Sequence, residues 1–128
     1  MPSVNQDFGQ AGERAAAAHL RRAGFTIMAR NWRCAHGELD LVAQRGDLVV
    51  FVEVKTRRVG PWSPESAITQ RKSQHLLASA YAYLDAHTIP VESSWRIDLI
   101  AIEVAPSGQI VRLEQIEHVV TGDGALGL

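Results

Sequence analysis

Asp40, Glu53 and Lys55 are residue types that together can hydrolyse a phosphate ester. Two carboxylates can hold a hard divalent cation such as Mg²⁺ or Mn²⁺. A lysine beside them can orient an attacking water or stabilise charge that develops on a phosphate. The three residues lie on two apolar runs, Gly37–Ala43 and Leu48–Lys55, separated by Arg45-Gly46-Asp47. Glycine followed by aspartate is a two-residue hairpin signal, because glycine accepts the positive φ such a turn needs. With Gly46 and Asp47 at the turn, Asp40 falls opposite Glu53 and Glu38 opposite Lys55. Opposed residues have Cβ atoms about 5 Å apart and point the same way, so these ionisable groups gather on one patch. Leu39, Leu41, Ala43, Val50, Val52 and Val54 form the other face.

Two facing carboxylates repel, so either one takes up a proton or a cation sits between them. The plain alternative is a salt-bridged surface, with Glu38 on Lys55 and Asp40 on a nearby arginine. A one-residue slip in register would scatter the patch to both faces.

The surrounding elements must hold this hairpin. A first helix runs to about Ala23, capped by Asn5 or Asp7, with Ala11, Ala15, Ala18 and Leu20 as its apolar stripe and Gly24 as its stop. The small residues Ala15 to Ala18 let it sit close against a sheet. Phe25–Ala29 reads as a strand, with Asn31-Trp32-Arg33 following. The Leu48–Lys55 strand is apolar enough to be central and covered on both faces. A loop spans 56–66. A second helix covers roughly 69–87, capped by Thr69, with the stripe Leu76, Leu77, Ala80, Leu84. Strands follow at Trp95–Ile102 and Ile110–Leu113. The order α-β-β-β-α-β-β predicts an α/β fold, a mixed sheet flanked by helices.

Length and composition fit one domain over residues 1–128, with residues 1–6 and 122–128 as loose ends. Apolar residues make up 46% of the chain, enough for a packed core. No apolar run approaches the roughly 18 residues of a membrane span, and the first residues do not read as a signal peptide. A single cysteine, Cys34, and no Cys/His cluster suggest a reduced, cytoplasmic setting without zinc. Net charge is −1, but residues 1–72 hold eleven Lys/Arg against seven Asp/Glu, while residues 73–128 hold two against seven. That asymmetry suggests a basic face that meets a polyanion.

Several segments carry a family resemblance. They are Gly9-Gln10-Ala11-Gly12-Glu13, Asn31-Trp32-Arg33-Cys34, Gly37-Glu38-Leu39-Asp40-Leu41, Phe51-Val52-Glu53-Val54-Lys55-Thr56-Arg57, Lys72 and Arg96-Ile97-Asp98. The chain resembles the YraN-like family of small bacterial proteins, which look like archaeal Holliday-junction resolvases of the PD-(D/E)xK nuclease superfamily. The resemblance implies a restriction-endonuclease-like fold. It casts Asp40 as the acid of the PD motif, Glu53 and Lys55 as the (D/E)xK pair, and Glu13 as a further metal-side carboxylate. Leu39 stands where the motif has proline. A homodimer is also implied, although the sequence marks no dimer interface.

The expectation is metal-dependent phosphodiester hydrolysis, most readily in DNA, branched or damaged DNA included. Asp40, Glu53 and Glu13 hold the metal and Lys55 acts at the reacting phosphate. Glu38 and Lys72 support them. Arg33, Arg57, Arg58 and Arg71 are the candidate phosphate contacts, which position nucleic acid without reading bases. Trp32 and Trp62 are either packing residues or platforms for bases. Arg96 and Asp98 read as a structural ion pair. The rival function is a nucleic-acid-binding module or adaptor that keeps the nuclease fold without turnover.

Overall fold

The computed structural model describes residues 4–128, with side chains from Phe8 onward. Its elements are α1 (Val4–Arg22), β1 (Thr26–Cys34), β2 (Gly37–Arg45), β3 (Leu48–Arg58), a 3₁₀ turn (Pro64–Ala67), α2 (Gln70–Ala86), β4 (Trp95–Val104) and β5 (Ile110–Ile116). The strands form one sheet in the order β1-β2-β3-β4-β5. β3 runs parallel to β4, and the other neighbours are antiparallel. The parallel pair needs a crossover, which α2 supplies. The chain is thus α/β with a mixed sheet, in the element order its sequence predicts.

β3 is apolar because it is covered twice. On one face Leu41, Val50, Val52 and Ile100 pack with Ala16, Ala17 and Leu20 of α1. On the other, Val42, Phe51, Ile97 and Leu99 pack with Leu76, Ala80, Tyr83 and Leu84 of α2. Thr69 caps α2 as predicted, its Oγ1 accepting the Lys72 backbone N–H at 3.1 Å. The Gly46-Asp47 turn forms with Gly46 at φ 59, and the pairs Arg45↔Leu48 to Leu41↔Val52 keep the predicted register. Among the described residues, no helix is long and apolar enough to cross a membrane.

Three expectations are corrected. Asn5 and Asp7 lie inside α1 rather than capping it, so residues 4–6 are helical; residues 1–3 lie outside the described residues. The buried stripe of α1 is Gly12, Ala16, Ala17 and Leu20, with Ala11 exposed. Gly12 governs this orientation. A Cβ there would lie 1.9 Å from Thr56 Oγ1, so only a residue without a side chain lets the helix approach β3 so closely. Finally, residues 122–128 are not a loose end. The Gly124 carbonyl accepts from Ser73 Oγ and Gln70 Nε2, both at 2.8 Å, and the Leu126 N–H donates to Gln70 Oε1 at 3.1 Å. Polar side chains on the first turns of α2 hold the tail there.

Candidate active site

The β2–β3 ladder ends at Leu41↔Val52. Asp40 and Glu53 come next, and here the strands part. Asp40 Oδ2 accepts the Val54 backbone N–H at 2.8 Å, a side chain taking over from the ladder. Asp40 also breaks the alternation of β2. Leu39 packs on the α2 face while Leu41 packs on the α1 face, although a regular strand keeps residues two apart together. In β1 the pairing passes from Trp32↔Leu39 to Arg30↔Leu41. Asn31 between them adopts φ 49, the left-handed region that asparagine tolerates best after glycine. This coupled irregularity turns Asp40 away from both packed faces and toward the opening between β2 and β3.

Other acids reach the same place. One carboxylate oxygen from each of Glu13, Glu38 and Asp40 lies within 4.8 Å of the others. Asn31, with its carboxamide nitrogen turned to the acids, donates to Glu38 Oε1 at 2.8 Å and to Glu13 Oε1 at 3.1 Å. Arg33 Nε donates to Glu38 Oε2 at 3.1 Å. Glu53 is only 8% exposed. Its Oε1 pairs with Lys72 Nζ at 3.3 Å, and its Oε2 is buried without a hydrogen-bond partner. Glu13, Asp40, Glu53, Lys55, Arg57 and Arg58 all line one open groove of about 810 Å³.

The groove disfavours its own negative charge. Burial, and then the charge of Asp40, push the Glu53 carboxyl up to about 7, against the pull of Lys72 and Lys55. Burial also raises Asp40, despite the opposing Val54 N–H bond. Glu13 is raised by burial and then by Asp40 and Glu38. These residues fit a hard divalent cation. The donors are all oxygen, Glu13, Asp40 and Glu53 are each strained as anions, and one buried Glu53 oxygen has no donor.

The predicted residues therefore mostly converge, with differences. Glu38 does not face Lys55, because the ladder has ended before either residue. It joins Glu13 and Asp40 instead, held by Arg33 and Asn31. The tight carboxylate group is Glu13, Glu38 and Asp40, whereas Glu53 is turned to Lys72 on the α2 side. Leu39 leaves the face predicted for it because of the phase shift at Asp40. Arg57 and Arg58 line the groove, and Arg33 is occupied by Glu38. Arg71 is exposed on the first turn of α2 and does not line the groove. Trp32 packs edge-on to Tyr83 with ring centres 5.2 Å apart. Trp62 is 68% exposed and does line the groove. Arg96 and Asp98 form their ion pair at 2.9 Å. Asn31, Gly12 and Thr56 were not anticipated as site-forming residues. The one signal in the sequence was a glycine directly before Glu13 in a helix of small residues.

A UPF0102 protein of Chloroflexus aurantiacus is 49% identical over 97% of this chain and 98% of its own length. One from Roseiflexus castenholzii is 45% identical (88% and 91%), and one from Pseudomonas aeruginosa 37% (89% and 92%). Among solved structures, a repair endonuclease from Pyrococcus abyssi aligns with a TM-score of 0.36 at 18% identity, over 76% of this chain and 37% of that one. SfsA of Pyrococcus furiosus, in complex with Ca²⁺, aligns at 0.34 and 14% identity, over 88% and 62%. Those two alignments are too partial to bear on the site. The profile described as Uncharacterised protein family UPF0102 matches residues 12–102, and with relatives this similar along almost its whole length, the chain belongs to that family.

Proposed function

We propose that the groove hydrolyses phosphodiester bonds in DNA with Mg²⁺ or Mn²⁺. The observation that carries this reading is the convergence of Glu13, Asp40, Glu53 and Lys55 in one open groove that Arg57 and Arg58 also line. Asp40, Glu53 and Glu13 would hold the ion, with Glu38 beside them. When bound, such an ion polarises the phosphate and lowers the pKa of a coordinated water. Arg57 and Arg58 seat the backbone by its phosphates without reading sequence. Lys55, in the groove lining with Asp40 and Glu53, stabilises charge that grows on the phosphoryl oxygens as the attacking oxygen bonds to phosphorus and the leaving oxygen departs. Lys72 holds Glu53 in place while no ion is bound.

The test is cleavage of plasmid and branched DNA by the purified protein in Mg²⁺ or Mn²⁺. Asp40→Ala and Lys55→Ala are each expected to lower the rate by at least about 100-fold, the scale of losing one electrostatic group at a reacting centre. Unfolding curves check that both variants fold. Cleavage undiminished in both overturns the assignment. DNA that is bound with log affinity falling against log salt, yet never cut, favours a binding module instead.

A further inference from the structure

We infer that Trp62 is a stacking platform for an unpaired base, and that the groove selects nucleic acid with an unstacked nucleotide beside the cleaved phosphate. This rests on the groove being where nucleic acid lies. The chain has three tryptophans, and the structure uses two of them for packing. Trp32 lies against Tyr83, and Trp95 against Phe51 and Tyr81. Trp62 has no such aromatic partner among the described residues. It is 68% exposed, on the rim of the groove that holds the acids.

The loop bearing Trp62 is pinned rather than free. At its start the Val59 N–H donates to the Val104 carbonyl at 3.0 Å. At its end Ser66 Oγ donates to the Ser63 carbonyl at 2.6 Å. Just beyond, Arg112 grips both oxygens of Glu65, at 3.0 and 2.8 Å, which ties the 3₁₀ turn to β5. Pro61 and Pro64 fix φ on either side of the ring. A large aromatic surface is thus presented in a restricted conformation, where ordering it on binding costs little.

An indole face in this place has a matching ligand chemistry. Every nucleobase has a π-face, so stacking tolerates any sequence, and Arg57 and Arg58 at the end of β3, in the same groove, seat the phosphates. A continuous duplex hides its base faces, and Trp62 gains nothing from it. A single strand, a gap or a branch point offers an open face.

The experiment measures binding in Ca²⁺, which occupies oxygen sites, of a 20-nucleotide DNA strand, its full duplex, and the duplex with a three-nucleotide gap. Trp62→Ala is expected to weaken the single strand and the gapped duplex by about tenfold and leave the full duplex unchanged. Trp62→Phe should restore most of the loss, and the intrinsic fluorescence quenched by the single strand should fall sharply in that variant. An unchanged ratio of single-strand to duplex affinity in Trp62→Ala overturns the inference, as does an equal loss on all three DNAs. Either result leaves cleavage by the acids standing. Trp62-dependent binding without cleavage in Mn²⁺ supports the stacking role and removes the nuclease reading. Failure to bind any of the DNAs overturns both.

Discussion

Glu53 is a buried carboxylate with one oxygen on Lys72 and the other on nothing. The fold keeps this group at a cost that depends on pH. Its carboxyl ionises near 7 in the folded protein, against an ordinary 4.5, so between those values the folded chain holds a proton that the unfolded chain has released. The stabilisation this gives is complete below about pH 4.5 and is lost as pH rises through 7. Asp40 and Glu13 are shifted in the same direction. Glu53→Gln should therefore stabilise the ion-free protein above pH 7 by about 2–4 kcal/mol, the scale of moving its carboxyl from 4.5 to about 7, and do little at pH 4. Urea unfolding of both proteins at the two pH values measures this. An advantage of equal size at both would contradict it.

At the scale of elements, the site depends on how closely α1 approaches β3. Gly12 meets the Thr56 hydroxyl, a buried oxygen with no hydrogen-bond partner. Gly12→Ala should destabilise the protein by about 1–3 kcal/mol through overpacking, and should blunt any stabilisation by Mn²⁺, since Glu13 is the next residue. Thr56→Ala removes an unsatisfied hydroxyl and should cost little. The double variant should recover much of the Gly12→Ala loss, because the clash is with Oγ1. Strictly additive effects in urea would show that the contact does not set the helix position. The hairpin itself was legible in the sequence. Glycine-aspartate fixed the turn, and the turn fixed the register up to Leu41. The place of Glu38 was not legible. It depends on a left-handed asparagine in the neighbouring strand and on the parting of β2 from β3 at Asp40, and neither leaves a mark in hydrophobic periodicity. The orientation of α1 was hidden for a similar reason. Alanines are apolar all round the helix, and the absent side chain at Gly12 decides which face approaches.

Across the whole molecule, two features separate global from local charge. The net charge is −1, yet Arg57 and Arg58 lie along the groove with the acids. Much of the acidic second half is used internally. Asp98 is fully buried and accepts from Arg96, Gln115 and the His118 N–H, while Glu103 and Glu114, joined by Glu65 from the first half, surround Arg112. The asymmetry along the sequence gave no sign that many acids of the second half are tied up in the scaffold. If Arg57 contacts a phosphate, Arg57→Ala should weaken DNA binding across sequences and reduce the slope of log affinity against log salt by about 1. An unchanged slope in a binding titration from low to moderate salt would remove Arg57 from the interface. The C-terminal tail, held by Gln70 and Ser73 near Lys72, is part of the same assembly rather than an appendage. The proposed activity requires that the strained acids hold an ion. The most direct measurement is anomalous scattering from a crystal soaked in Mn²⁺. The predicted result is an Mn²⁺ ion within bonding distance of both Asp40 and Glu53, with Glu53 released from Lys72. A structure at saturating Mn²⁺ with no ion between those two acids, and Glu53 still on Lys72, would contradict it.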